Sequence, residues 1–230
     1  MDATIGIFFE TEIVADAIFG IVYNVFKDEY SDAERLPILQ IPAEIRSKDP
    51  NLIMQPHYKI KSDKFILMIG PKGVSLGIKG EYVGWNIFLP EVEKVFKKIG
   101  DLEIVKSVKR LGIRYINAFD FDIYEKIKLK VNLENGNLKH KNLFIKTEVV
   151  CGNFISTLQV ANNATGTIND KQFSGSIIDI DTYITRDIEA FFSNYKDLLI
   201  EGHKEEKKLF FSLLSSEYLE TLNPEYMEGQ

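Results

Sequence analysis

Cysteine is almost absent from this sequence: Cys151 is the only one in 230 residues. An intrachain disulfide is therefore excluded, and the lone thiol fits a reducing compartment. Arginine is nearly as scarce, standing only at positions 35, 46, 110, 114 and 186. The three histidines, His57, His140 and His203, lack Cys or carboxylate companions at metal-site spacing. Positive charge is in deficit, with a net charge of −6. That balance argues against a general nucleic-acid binder, which carries a basic field. Long apolar runs are missing too: Ile13 to Phe26 is broken by Asp16 and Asn24 and is too short to span a bilayer. The opening Met1-Asp2-Ala3-Thr4 has no positive charge of the kind a secretion signal begins with. These absences lead to the expectation of a cytoplasmic protein with no membrane partner, no metal and no cofactor.

What is present is ordinary globular material, 45% hydrophobic and 27% charged, so a full core can form without staples. Ile5 to Glu10 reads as a strand, and Thr11 as the cap of a helix lined by Ile13, Val14, Ala17, Ile18, Ile21, Val22, Val25 and Phe26. Strands are expected from Pro37 to Lys79, edge-like where Pro37, Pro42, Pro50 and Pro56 intrude. Two apolar runs, 65–69 and 74–78, flank Gly70-Pro71-Lys72-Gly73 and predict a hairpin. Trp85, Phe88, Val92, Val95, Phe96 and Ile99 recur at helical spacing and lead to Gly100 as a C-terminal stop. A long strand is expected within 104–121, a turn at Asn135-Gly136-Asn137, and a hairpin around Gly152. Phe173 to Ile184 reads as another strand, followed by two helices separated at Gly202 and His203.

The order suggests one α+β domain over 1–230: a curved, mainly antiparallel sheet with helices packed on one face. Two structurally similar halves, 1–100 and 101–216, are one version of it, with 217–230 a loose tail.

The segment Arg110-Leu111-Gly112-Ile113-Arg114-Tyr115-Ile116-Asn117 resembles the R-x-G-[IL]-R-Y-[IL]-N signature of a sporadically distributed family of uncharacterised prokaryotic proteins of about this length. The helix at Trp85, the Asp179-Ile180-Asp181 strand and the region His203 to Phe210 are similar as well. The resemblance implies an accessory role, such as a mobile-element or defence function, and no established activity.

As physics, alternation along a strand puts Leu111, Ile113, Tyr115 and Asn117 on one side. Arg110, Gly112 and Arg114 then share the other, the two arginines roughly 13 Å apart. The missing side chain at Gly112 would leave a notch for an anion or a carboxylate, which guanidinium groups bind in bidentate fashion. The alternative is structural pairing of both arginines with acidic neighbours, Gly112 marking a bulge. Asp179 and Asp181 share a strand face about 7 Å apart and are the natural partners if the strands adjoin. A solvated face or a metal or catalytic pair are the other readings of these aspartates. Cys151 shows no positioned base, and the glycines at 70, 73, 77 and 80 lack a P-loop ending.

Three functions follow in order. A non-enzymatic binding or regulatory protein comes first, its partner a protein encoded nearby, in a defence or toxin-neutralising setting. An anion binder or enzyme with an Arg110–Arg114 clamp, Tyr115 and Asn117 close by, is second. A homodimer resting on spare aromatic residues, such as one of the pair Phe210 and Phe211, is third.

Overall fold

The structure, a computed structural model, describes residues 1–133, 136–137, 142–168, 171–186, 188 and 190–222. His140 and Asn135, and with Asn135 part of the expected turn, lie outside the described residues. In chain order the elements are β1 (Asp2–Glu10), α1 (Ala15–Phe26), β2 (Asp32–Arg35), α2 (Ala43–Arg46), β3 (Tyr58–Lys61), β4 (Phe65–Gly70), β5 (Gly73–Ile78) and α3 (Trp85–Asp101). Then come β6 (Ser107–Phe119), β7 (Asn132–Leu133), β8 (Gly136–Asn137), β9 (Phe144–Cys151), β10 (Phe154–Ile168), β11 (Lys171–Ile184), α4 (Phe191–Leu213) and α5 (Ser216–Thr221). The fold is α+β. Nine strands make one open antiparallel sheet in the order β2-β3-β4-β5-β1-β6-β11-β10-β9, and β7 and β8 pair separately. The chain divides into two compact units, residues 1–115 with 183–202, and residues 116–182 with those from 203 onward.

In the first unit, alternation along β1 buries Ala3, Ile5, Ile7 and Phe9 and leaves Thr4, Gly6 and Phe8 toward the other face. Its register with β5 sets Ile5 opposite Leu76 and Ile7 opposite Val74, so both strands send their apolar side chains the same way. Phe65, Leu67 and Ile69 of β4 continue that face. Against it, α1 buries Ile18, Val22 and Phe26, a stripe at spacing four, and α3 buries Phe88, Val92, Val95, Phe96 and Ile99. Each such side chain contributes about 1.5–3 kcal/mol of burial. The predicted hairpin is β4 and β5, with Gly70 opposite Gly73.

Three local features depart from the sequence-based expectation. Thr11 does not cap α1; its hydroxyl accepts from the Ile13 N–H (3.1 Å) in the turn before the helix, which starts at Ala15. The stretch from Pro37 is not yet strand: Pro37 opens a 3-10 turn and Pro42 precedes α2, since proline's fixed φ suits a helix start as well as a strand edge. Gly100 does not end α3, which runs on to Asp101. A Cβ at Gly100 would sit 2.8 Å from Phe192 Cδ1, so the glycine provides clearance for a ring.

The second unit is built on Ile123, Tyr124, Ile127, Leu158, Val160, Ile178, Ile180 and Leu214, with Leu209, Phe210 and Leu213 of α4 packed against them. The Tyr124 hydroxyl donates to the Val160 carbonyl (2.8 Å), and burial pushes its pKa up to about 12. Cys151 and Phe154 face each other across Gly152, whose φ of 59° is the left-handed turn conformation that favours glycine. The expected break at Gly202 and His203 is absent, because α4 passes through both. An interior glycine costs a helix about 1 kcal/mol without ending it. His203 is thus mid-helix and half-buried, and burial followed by Lys207 brings its pKa down to about 4. Among the described residues no helix is long and apolar enough to cross a membrane.

Candidate functional site

Residues 107–119 are extended, so Arg110, Gly112 and Arg114 emerge on one side of β6, and Leu111, Ile113 and Tyr115 are buried on the other. Within the first unit, β1 lies beside β6, and the Lys106 N–H donates to the Glu10 carbonyl (2.8 Å). This neighbour brings Phe8 to Arg110: the guanidinium carbon is 5.7 Å from the Phe8 ring centroid. Tyr183, at the end of β11, lies closer, its ring centroid 4.5 Å from the same carbon. Contacts of this kind are worth about 0.5–1 kcal/mol when exposed and more when desolvated.

Glycines make room for these flat groups. A Cβ on Gly112 would overlap Nη1 of Arg110, so the guanidinium lies over the glycine. A Cβ on Gly73, directly opposite Phe8 on β5, would meet the Phe8 ring at 2.7 Å. The result is a run of groups laid across the sheet: a ring over Gly73, then a guanidinium over Gly112, then the Tyr183 ring. Arg110 is half-buried in this arrangement and Arg114 is exposed. The space over Gly112, read from the sequence as an open notch, thus holds the Arg110 side chain itself.

The other candidate residues are placed differently. Tyr115 is buried on the opposite face of β6, its ring edge-on to Tyr82 at 5.8 Å and the two hydroxyls 3.3 Å apart. Asn117, Asp179 and Asp181 belong to the second unit. Asp179 is 7% exposed and accepts from Gln159 Nε2 (3.0 Å), as a buried carboxylate requires; Asp181 is half-buried on the same face of β11. β6 and β11 are neighbours in the sheet order.

Elsewhere, buried Cys151 accepts from the Ser156 hydroxyl at 3.5 Å, and Ser156 meets Thr182 at 2.7 Å. A cleft of about 460 Å³ in the first unit is floored by Tyr30, whose hydroxyl donates to Glu91 (2.6 Å). Its rim carries four carboxylates (29, 32, 63, 91) and four lysines (61, 64, 79, 94), so it has no net field to gather ions of either sign. Lys94 and Lys98 both pair with Glu29 and hold its carboxyl below the usual range. Among the described residues no group of three His, Cys, Asp or Glu side chains could hold a metal ion.

Sequence reasoning missed Phe8 and Tyr183. Each is unremarkable in its own strand, and only the order of the sheet brings both to Arg110. Compared with protein-family models, with curated proteins and with solved structures, the chain matches none.

Proposed function

We propose that this chain is a binding protein that docks a macromolecular partner through carboxylates on the partner's surface. The sheet face of Phe8, Arg110 and Arg114 would be the contact. The observation that carries the reading is the seating of the Arg110 guanidinium over Gly112, between the Phe8 and Tyr183 rings, with exposed Arg114 on the same side of the strand. A guanidinium carries its N–H donors in its own plane as a fork, the geometry that suits a carboxylate. Its order before binding lowers the entropy lost on binding, and arginine and tyrosine dominate the energy of protein interfaces. The free, buried Cys151 fits a reducing cytoplasm. The resemblance carried by Arg110 to Asn117 supports an accessory, defence-type setting with a partner encoded nearby.

Co-expression with the products of adjacent genes tests this. Wild type is expected to copurify with one of them, and Arg114→Glu to weaken the complex at least tenfold by placing like charges together. If no neighbouring product binds, or if binding ignores Arg114→Glu, the reading is abandoned. The second reading, a small anion clamped between the guanidinium groups, is less favoured because Arg110 already covers Gly112. A rise in melting temperature with phosphate or citrate that vanishes in Arg114→Ala would restore it.

A further inference from the structure

The two edges of the sheet are β2 and β9. β2 is guarded as edge strands usually are: it is four residues long, fully exposed and charged. Glu34 pairs with Lys59 (3.0 Å) and Asp32 with Lys61 (3.4 Å) on the strand beside it. β9 is twice as long and unlike it. Phe144 is 62% exposed and Val150 81% exposed on this strand, large apolar groups at the very place where another strand could add.

The direction of its hydrogen bonds follows from β10. Asn162 N–H donates to the Leu143 carbonyl (3.2 Å), and the β9–β10 register continues from there to Cys151 opposite Phe154. In an antiparallel pair, bonding alternates, so residues 145, 147, 149 and 151 address β10. Phe144, Lys146, Glu148 and Val150 therefore turn their backbone N–H and C=O toward the outer edge of the described sheet, and their side chains are all exposed.

We propose that this edge pairs antiparallel with the same edge of a second copy of the chain, about a twofold axis at Thr147. The strand reads the same in both directions in chemical terms. With Thr147 opposite itself, Phe144 meets Val150 of the second copy, Ile145 meets Val149, and Lys146 meets Glu148. Apolar, opposite-charge and Thr–Thr pairs are the favourable cross-strand combinations. The charge pattern also selects the register. Only residues of the outward-turned set can bond to one another, so the strands slip by whole pairs. One slip sets Lys146 against itself and the opposite slip sets Glu148 against itself, and like charges directly opposite destabilise a ladder. A twofold contact of this kind is isologous and closes at the dimer. The proposal does not depend on the arginine face. Being one strand wide, it falls short of a standard interface, and its dissociation constant is expected on the order of micromolar.

Sedimentation equilibrium of the full chain from about 1 to 100 μM tests the proposal. Wild type is expected to pass from monomer to dimer across that range. Lys146→Glu and Glu148→Lys each place like charges at both symmetry-related pairings and are expected to weaken the dimer about 100-fold, tenfold per pairing. A one-to-one mixture of the two variants restores opposite charges and should form a heterodimer. The double variant Lys146→Glu/Glu148→Lys should again form a homodimer. These rescues exclude misfolding as the cause of loss. Wild type that stays monomeric, single variants that dimerise like wild type, or a mixture that stays monomeric would each overturn the proposal; in the second case another surface is the contact.

Discussion

Gly112 and Gly175 are both strand glycines, yet alanine is expected to behave differently at each. At Gly112 the added methyl meets the tip of a flexible side chain, Arg110, which can swing away. The lost ring contacts, about 1 kcal/mol, are offset by the lower entropy of the unfolded chain, so stability should change by less than about 1 kcal/mol. At Gly175 the methyl would overlap the Phe119 carbonyl, rigid backbone, and the cost should reach about 3 kcal/mol or more in urea unfolding. Equal effects would mean that Arg110 is fixed far more firmly than its two ring contacts suggest. Glu206 is a second residue-scale lever. It is 4% exposed, and burial raises its pKa to about 8, with Lys207 opposing. The unfolded chain then loses this proton near pH 4.5 while the folded chain keeps it, so stability falls as pH rises from 4.5 to 8 and is level above. His203 acts the other way, adding stability as pH rises from about 4 to 6.5. From pH 6.5 to 8 the decline due to Glu206 stands alone of the two. Glu206→Gln is expected to flatten it and to raise stability at pH 8 by a few kcal/mol; an unchanged slope would assign it to another group. Of the candidate site, the strand and the shared side of Arg110 and Arg114 were legible because alternation is local. Phe8 and Tyr183 were not, since their meeting with Arg110 depends on which strands adjoin.

At the scale of elements, Gly100 shows how packing displaces a local signal. An interior helical glycine replaced by alanine normally gains about 1 kcal/mol. Here the Phe192 ring stands 2.8 Å from the new methyl, so Gly100→Ala alone should give no gain. Combined with Phe192→Leu, the same change should recover the propensity, and a double-mutant cycle by thermal unfolding would show the coupling. The same competition explains which elements could be read in advance. β4 and β5 were legible because two apolar runs flank a turn that only Gly and Pro favour. α4 was read as two helices because Gly202 imitates a stop, although no cap accompanies it. β10 was hidden along most of its fifteen residues, since Gln159, Asn162, Asn163 and Thr165 give it the look of a loop. Asn162 is in fact buried and bridges, its amide donating to Asp122 (3.0 Å) and its oxygen accepting from the Leu143 N–H (2.7 Å).

For the whole molecule, net charge and local charge oppose each other. A chain of charge −6 repels the proposed acidic partner at long range, whereas under that proposal the guanidinium groups attract it at contact. Salt screens the first beyond about 10 Å and weakens the second at the surface. Association and dissociation rates with the partner should therefore both rise from low to physiological salt; a falling association rate would place the contact on a different face. One further consequence follows from the position of β1, made first yet flanked by β5 and β6. Translation supplies its first neighbour by residue 78 and its second only from residue 107. A nascent chain whose emerged part ends between those points leaves one rim of β1 bare, its backbone N–H and C=O groups unpaired. Arrested chains of that length should be digested readily, and resistance should set in once the later segment has emerged.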